Sequence, residues 1–74
     1  MLLSNPTIKR ETAKAMLIQF DVEIEDTLID LEEWMPKSQI KSISSQFVEI
    51  TEWIAEQKEI VQKATALYTD FANA

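Results

Sequence analysis

The chain has no cysteine, no histidine and no glycine, and only two prolines. Without cysteine no disulfide can brace it. Without cysteine and histidine the usual zinc ligand sets are gone. A two-metal carboxylate bundle would lack the histidine that follows each glutamate at i, i+3, and no calcium loop of regularly spaced oxygen ligands is present. No metal and no cofactor is expected. Bases are scarce as well: seven Lys and Arg stand against thirteen acids, a net charge of −6. That balance argues against direct nucleic-acid binding, which needs a basic surface, and against docking on anionic membranes. No apolar run approaches the roughly 18 residues that span a bilayer. Met1-Leu2-Leu3 is too short for a signal sequence and has no basic segment before it. A cytoplasmic protein is expected.

The missing glycine bears on fold class. Tight β-turns with positive φ draw on glycine, so a chain without it is expected to hold few turns and long helices. The heptad spacing agrees. Ile40, Ile43, Phe47, Ile50, Ile54, Gln57, Val61, Ala64, Tyr68 and Phe71 follow one another at alternating steps of three and four, the seam of a long amphipathic helix with one polar member. Upstream, Arg10, Ala13, Leu17, Phe20, Ile24, Thr27 or Leu28, Leu31 and Trp34 or Met35 mark a second face. Asn5 and Pro6 suit a helix start, and Met35-Pro36 is the strong interruption.

The expected fold is therefore all-α. Residues 1–74 form a single domain, an antiparallel hairpin of one helix over about 6–34 and another over about 37–72. Folded at residues 35–36, Leu31 meets Ile40, Leu28 meets Ile43, Ile24 meets Phe47, Phe20 meets Ile50 and Leu17 meets Ile54. Trp34 is expected to plug the bend, and Gln57 to set register or to reach solvent. One stretch reads otherwise: Ile18-Gln19-Phe20-Asp21-Val22-Glu23-Ile24-Glu25 alternates strictly, with β-branched members, as a strand does.

A hairpin buries one stripe per helix, and both helices carry more. Ile8, Ala15, Val22 and Ile29 recur every seven residues with Ile18 beside them, and Trp53, Ile60 and Leu67 do the same downstream. Ile18, Val22, Ile29, Trp53, Ile60 and Leu67 are thus the candidate apolar contacts of a homodimeric four-helix bundle or of a groove for a partner helix. Seven acids fall between Asp21 and Glu33 with no base among them. Glu23, Asp26, Asp30 and Glu33 form one helical row at i, i+3, i+7 and i+10, a solvated face or a docking surface for a basic protein. Ser38, Ser42, Ser44 and Ser45 cluster without a base to activate them, and no catalytic motif is present.

A tryptophan at the bend of a small acidic hairpin, Trp34-Met35-Pro36, resembles the WXG-type secreted hairpin proteins, with Pro36 where that family has glycine. The resemblance covers these three residues and brings no function with it. The residues point to a non-enzymatic protein-binding module: an adaptor, accessory subunit or regulator acting through self-association and apolar helix stripes on an unidentified protein. The alternative is an acidic inhibitor whose carboxylates mimic a nucleic-acid backbone and block a DNA- or RNA-handling protein.

Overall fold

The computed structural model describes residues 1–73 and overturns the helical hairpin. Five antiparallel strands come first: β1 (Leu2–Glu11), β2 (Ala15–Ile24), β3 (Thr27–Pro36), β4 (Ile40–Ile43) and β5 (Phe47–Ile50). A single 3-10 turn, Lys37–Gln39, separates β3 from β4, and two helices follow, α1 (Glu52–Gln57) and α2 (Ile60–Ala72). The strands form one sheet in the order β3-β2-β1-β5-β4. The helix expected over 6–34 is three strands. Of the helix expected over 37–72, the parts in α1 and α2 are helical. With the hairpin go the four-helix bundle, the coiled-coil seam and the resemblance at Trp34-Met35-Pro36, whose residues close β3 in extended conformation.

Alternation explains the strands. Ile18, Phe20 and Val22 of β2, and Ile29, Leu31 and Met35 of β3, face one side and are buried. Leu17, Gln19, Asp21 and Glu23 point the other way, opposite Trp34, Glu32, Asp30 and Leu28. The strand reading of Ile18–Glu25 therefore holds for this segment up to Ile24. The β2–β3 ribbon pairs all ten residues without a bulge, from Ala15↔Pro36 to Ile24↔Thr27.

The chain makes its turns without glycine. Glu25 and Asp26 take up the left-handed region themselves, φ 50° and 63°, in the two-residue loop of β2–β3. Asn5, φ 52°, sits in a bulge of β1 between Ser4↔Asp21 and Thr7↔Gln19, where Pro6 has no ladder hydrogen bond to lose. The other two hairpins are closed by hydroxyls. Thr12 Oγ1 accepts from the N–H of Ala15 at 3.1 Å, and Ser44 Oγ accepts from the N–H of Phe47 at 3.1 Å.

The connection from β3 to β4 fixes the shape of the sheet. Pro36 lies opposite Ala15 at one end of the long ribbon. Ile40 lies opposite Ile50, whose N–H donates to Met1 O, at the other end of β1. In a flat sheet these ends stand about 30 Å apart along the strands alone, and three linking residues reach about 14 Å at most. The sheet must coil until its two edges meet at this corner. Two hydrogen bonds fasten it there: Lys37 N–H to Lys14 O at 2.8 Å and Thr51 N–H to Gln39 O at 3.0 Å.

The core fills the concave side. Leu3, Ile18, Phe20, Val22, Ile29, Leu31, Met35, Val48 and Ile50 from the sheet meet Ile54, Ala55, Ile60 and Ala64 from the helices in one cluster. Thr51 caps α1, its hydroxyl accepting from Ile54 N–H at 3.2 Å. Glu59, φ 52°, turns the chain into α2, which lies over β2 and β3. Lys63 of α2 donates to Glu33 of β3 at 2.9 Å. Among the described residues no helix is long and apolar enough to cross a membrane.

Candidate functional site: the outer face and open edge of the β2–β3 ribbon

The helices cover one side of the sheet, and the convex side stays open. Its residues are read off the pairing. Across β1, β2 and β3 run the rows Arg10–Leu17–Trp34, Thr7–Gln19–Glu32 and Ser4–Asp21–Asp30. Beyond them Glu23 faces Leu28. Trp34 is 39% exposed and Leu28 56%. Leu2 and Phe47 lie diagonally across β1 and β5 on the same side and are also exposed.

The polar groups of this face are partly tied down. Gln19 Nε2 donates to Asp30 Oδ2 at 2.7 Å, and Asn5 Nδ2 donates to Asp21 Oδ2 at 2.9 Å. A shallow open depression of about 330 Å³ is lined by Lys9, Gln19, Asp30, Leu31 and Glu32. It holds one cation among acids but no neighbouring nucleophile–base pair. Among the described residues no group of three or more acids is placed to hold a metal ion.

β3 is also an edge. Lys37 N–H donates to Lys14 O, so 14 and 37 are a hydrogen-bonded pair of the antiparallel ladder. Hydrogen-bonded and non-hydrogen-bonded pairs alternate along such a ribbon. Leu28, Asp30, Glu32 and Trp34 thus belong to the non-hydrogen-bonded pairs, and their backbone N–H and C=O groups point away from β2. Among the described residues no backbone group meets them there. The same four residues carry their side chains on the convex face.

The sequence-derived site residues divide sharply. Ile18, Val22, Ile29 and Ile60 are core. The seven-residue step from Val22 to Ile29 arose from strand and turn lengths, since a step of seven reverses face within a strand. Trp53, on α1, and Leu67, on α2, stay exposed at 57% and 46%. The acidic row is broken for the same reason. Glu23 and Asp30 share the convex face, Asp26 lies in the turn, and Glu33 points to the concave side, where Lys63 neutralises it. Gln57 is exposed at the end of α1 rather than set in a seam. Trp34 lies in the outer row instead of plugging a bend. Sequence reasoning missed Leu28 and Glu32 as site members, although alternation counted through to Trp34 would have placed both beside Asp30.

Comparison with protein-family models, curated proteins and solved structures finds no match to this chain.

Proposed function

We propose that this chain is a non-enzymatic, cytoplasmic protein-binding module, a small adaptor, accessory subunit or regulator. One observation carries the reading: the outer face of the β2–β3 ribbon is uncovered and ends in an open strand bearing exposed Leu28 and Trp34. Large apolar side chains on a sheet face rimmed by polar ones are the usual composition of a protein contact. The test compares two double variants in capture of binding proteins from the source cell. Leu28→Ser with Trp34→Ser should lose a partner that Trp53→Ser with Leu67→Ser retains. The opposite pattern would move the contact to the helices, and turnover of a substrate at the Lys9 depression would end the non-enzymatic reading.

A second reading is kept by the acids. Asp21, Glu23, Asp30 and Glu32 share one face, as carboxylates standing in for a nucleic-acid backbone would. A mimic binds its target with affinity falling steeply as salt rises, and charge reversal at Asp21 and Asp30, both on that face, abolishes that binding. Docking carried by Leu28 and Trp34 is lost instead with the Leu28→Ser, Trp34→Ser double variant.

A further inference from the structure

We infer that the open edge of β3 is a strand-addition site for an extended segment of another protein, one with basic residues at alternate positions. The inference rests on the protein-binding reading and names the partner's chemistry. Its basis is the coincidence in four residues of two properties that are separable in principle. Leu28, Asp30, Glu32 and Trp34 turn their backbone N–H and C=O groups to the free edge, and their side chains line the convex face beside it. A strand laid there antiparallel would close hydrogen-bonded pairs with all four and bring its own alternate side chains next to theirs.

The charges choose the occupant. Asp30 and Glu32 are exposed in the middle of the edge, with exposed Leu28 and Trp34 at either side. An incoming strand meets, in its own direction, Trp34, Glu32, Asp30 and Leu28. The complementary pattern is apolar, basic, basic, apolar at every second position. The intervening residues fall toward Glu33, Leu31 and Ile29 on the concave side. Glu33 is already paired with Lys63, so no base is called for there, and small or β-branched residues fit.

A second copy of this chain is the poorest occupant. An antiparallel β3–β3 pairing that sets Leu28 against Trp34 also sets Asp30 against Glu32 twice over. Like charges directly opposite each other destabilise a ladder. Acidic residues on an otherwise regular ten-residue edge thus block self-addition while leaving the edge open to a basic strand.

The probe is a capped synthetic peptide, Leu-Thr-Arg-Val-Lys-Thr-Leu, titrated into the 15N-labelled full chain. The expected result is slowed amide exchange at Leu28, Asp30, Glu32 and Trp34, with shifts spreading into β2. Asp30→Lys with Glu32→Lys should weaken binding at least tenfold, and the peptide carrying Glu in place of Arg and Lys should bind that variant better than the wild-type chain. Removing the hydrogen-bond donors by N-methylating the Arg and Lys residues should abolish binding to the unaltered protein, which separates the result from any folding defect of the variant. Shifts centred on Leu2 and Phe47, or on α2, without edge protection would overturn strand addition and leave protein binding standing. Binding indifferent to both charge reversal and N-methylation would overturn it too. No binding of the peptide, together with retained partner capture by the Asp30→Lys, Glu32→Lys variant, would overturn it while sparing the broader reading.

Discussion

Asp21 and Asp30 face each other directly across β2 and β3, in a non-hydrogen-bonded pair. Such pairs hold their side chains closest, with Cα atoms about 4.5 Å apart, and like charges there oppose the fold. Two amides soften the clash, Asn5 Nδ2 on Asp21 and Gln19 Nε2 on Asp30. Relief should still be measurable. Asp21→Asn or Asp30→Asn is expected to stabilise the chain by about 0.5 kcal/mol, read from urea unfolding midpoints at low salt. The gain should shrink as salt is raised. Unchanged or lower stability at low salt would mean that the two amide contacts already outweigh the repulsion.

The Glu25–Asp26 turn holds two non-glycine residues at positive φ. Each costs about 1–2 kcal/mol against the right-handed region, less where a short polar side chain helps. Glu25→Asn with Asp26→Gly supplies the residues that a turn of this type favours. The double variant should be more stable by about 1 kcal/mol, a rise in Tm of about 4–8 °C for a domain of this size. A fall in Tm would show that the acidic side chains themselves hold the turn.

Neighbours in β3 should respond oppositely. Met35 is buried and Trp34 lies in the exposed outer row. Met35→Ala should cost about 2–5 kcal/mol, whereas Trp34→Thr should cost less than about 1 kcal/mol. Equal losses would contradict the two-residue period. Far-ultraviolet circular dichroism of the parent chain, with a dominant strand component, is the companion measurement.

The Met1 ammonium donates to Ile50 O and to Glu52 Oε1, each at 2.8 Å. Its hydrogen bond and its charge hold the Glu52 carboxyl below the ordinary value of 4.5. A depressed carboxylate contributes stability above its unfolded value and loses it as pH falls through the folded one. This contribution should therefore be fully present at neutral pH and fade below about 4.5. Nα-acetylation or Glu52→Gln should lower stability at pH 7 and flatten that acid limb, as followed by thermal melts across pH 3–7. A limb unchanged in both would assign the acid sensitivity to other carboxylates.

The helical part of the fold was legible where a helix exists. Ala64 and Tyr68 of the expected seam do pack on the core from α2, but Val61 and Phe71 are exposed, and Ile60 of the flanking stripe takes the buried place. Upstream, the same steps of three and four were produced by other means. Ile40 and Ile43 share a face because a register shift at Lys41 lets a step of three return to the same side. Phe47 and Ile50, also three apart, point to opposite sides of β5, one exposed and one buried. One bulge thus wrote a step of the helix-like period into β4, and the step from Phe47 to Ile50 joins no common face. The alternation of Ile18–Ile24 was legible, and so was the acidity of the region that forms the outer ribbon. The turns were not, because Glu25, Asp26, Thr12 and Ser44 take the places at which glycine is usually sought. With the turns hidden, the open edge of β3 could not be found, although alternation alone puts Leu28, Asp30, Glu32 and Trp34 on one face.

The sheet order has a consequence for how the molecule comes into being. β1 is the first strand to be synthesised and the middle strand of the finished sheet. On one side it meets β2 across a short turn. On the other, Leu3 waits for Val48, and the corner at Lys37–Gln39 cannot close until that partner arrives. A nascent chain released before residue 50 is left with a meander bare along β1, the strand that the finished sheet holds at its centre, the condition under which half-made sheets aggregate. Folding speed should follow this late, distant closure rather than the quick β2–β3 ribbon.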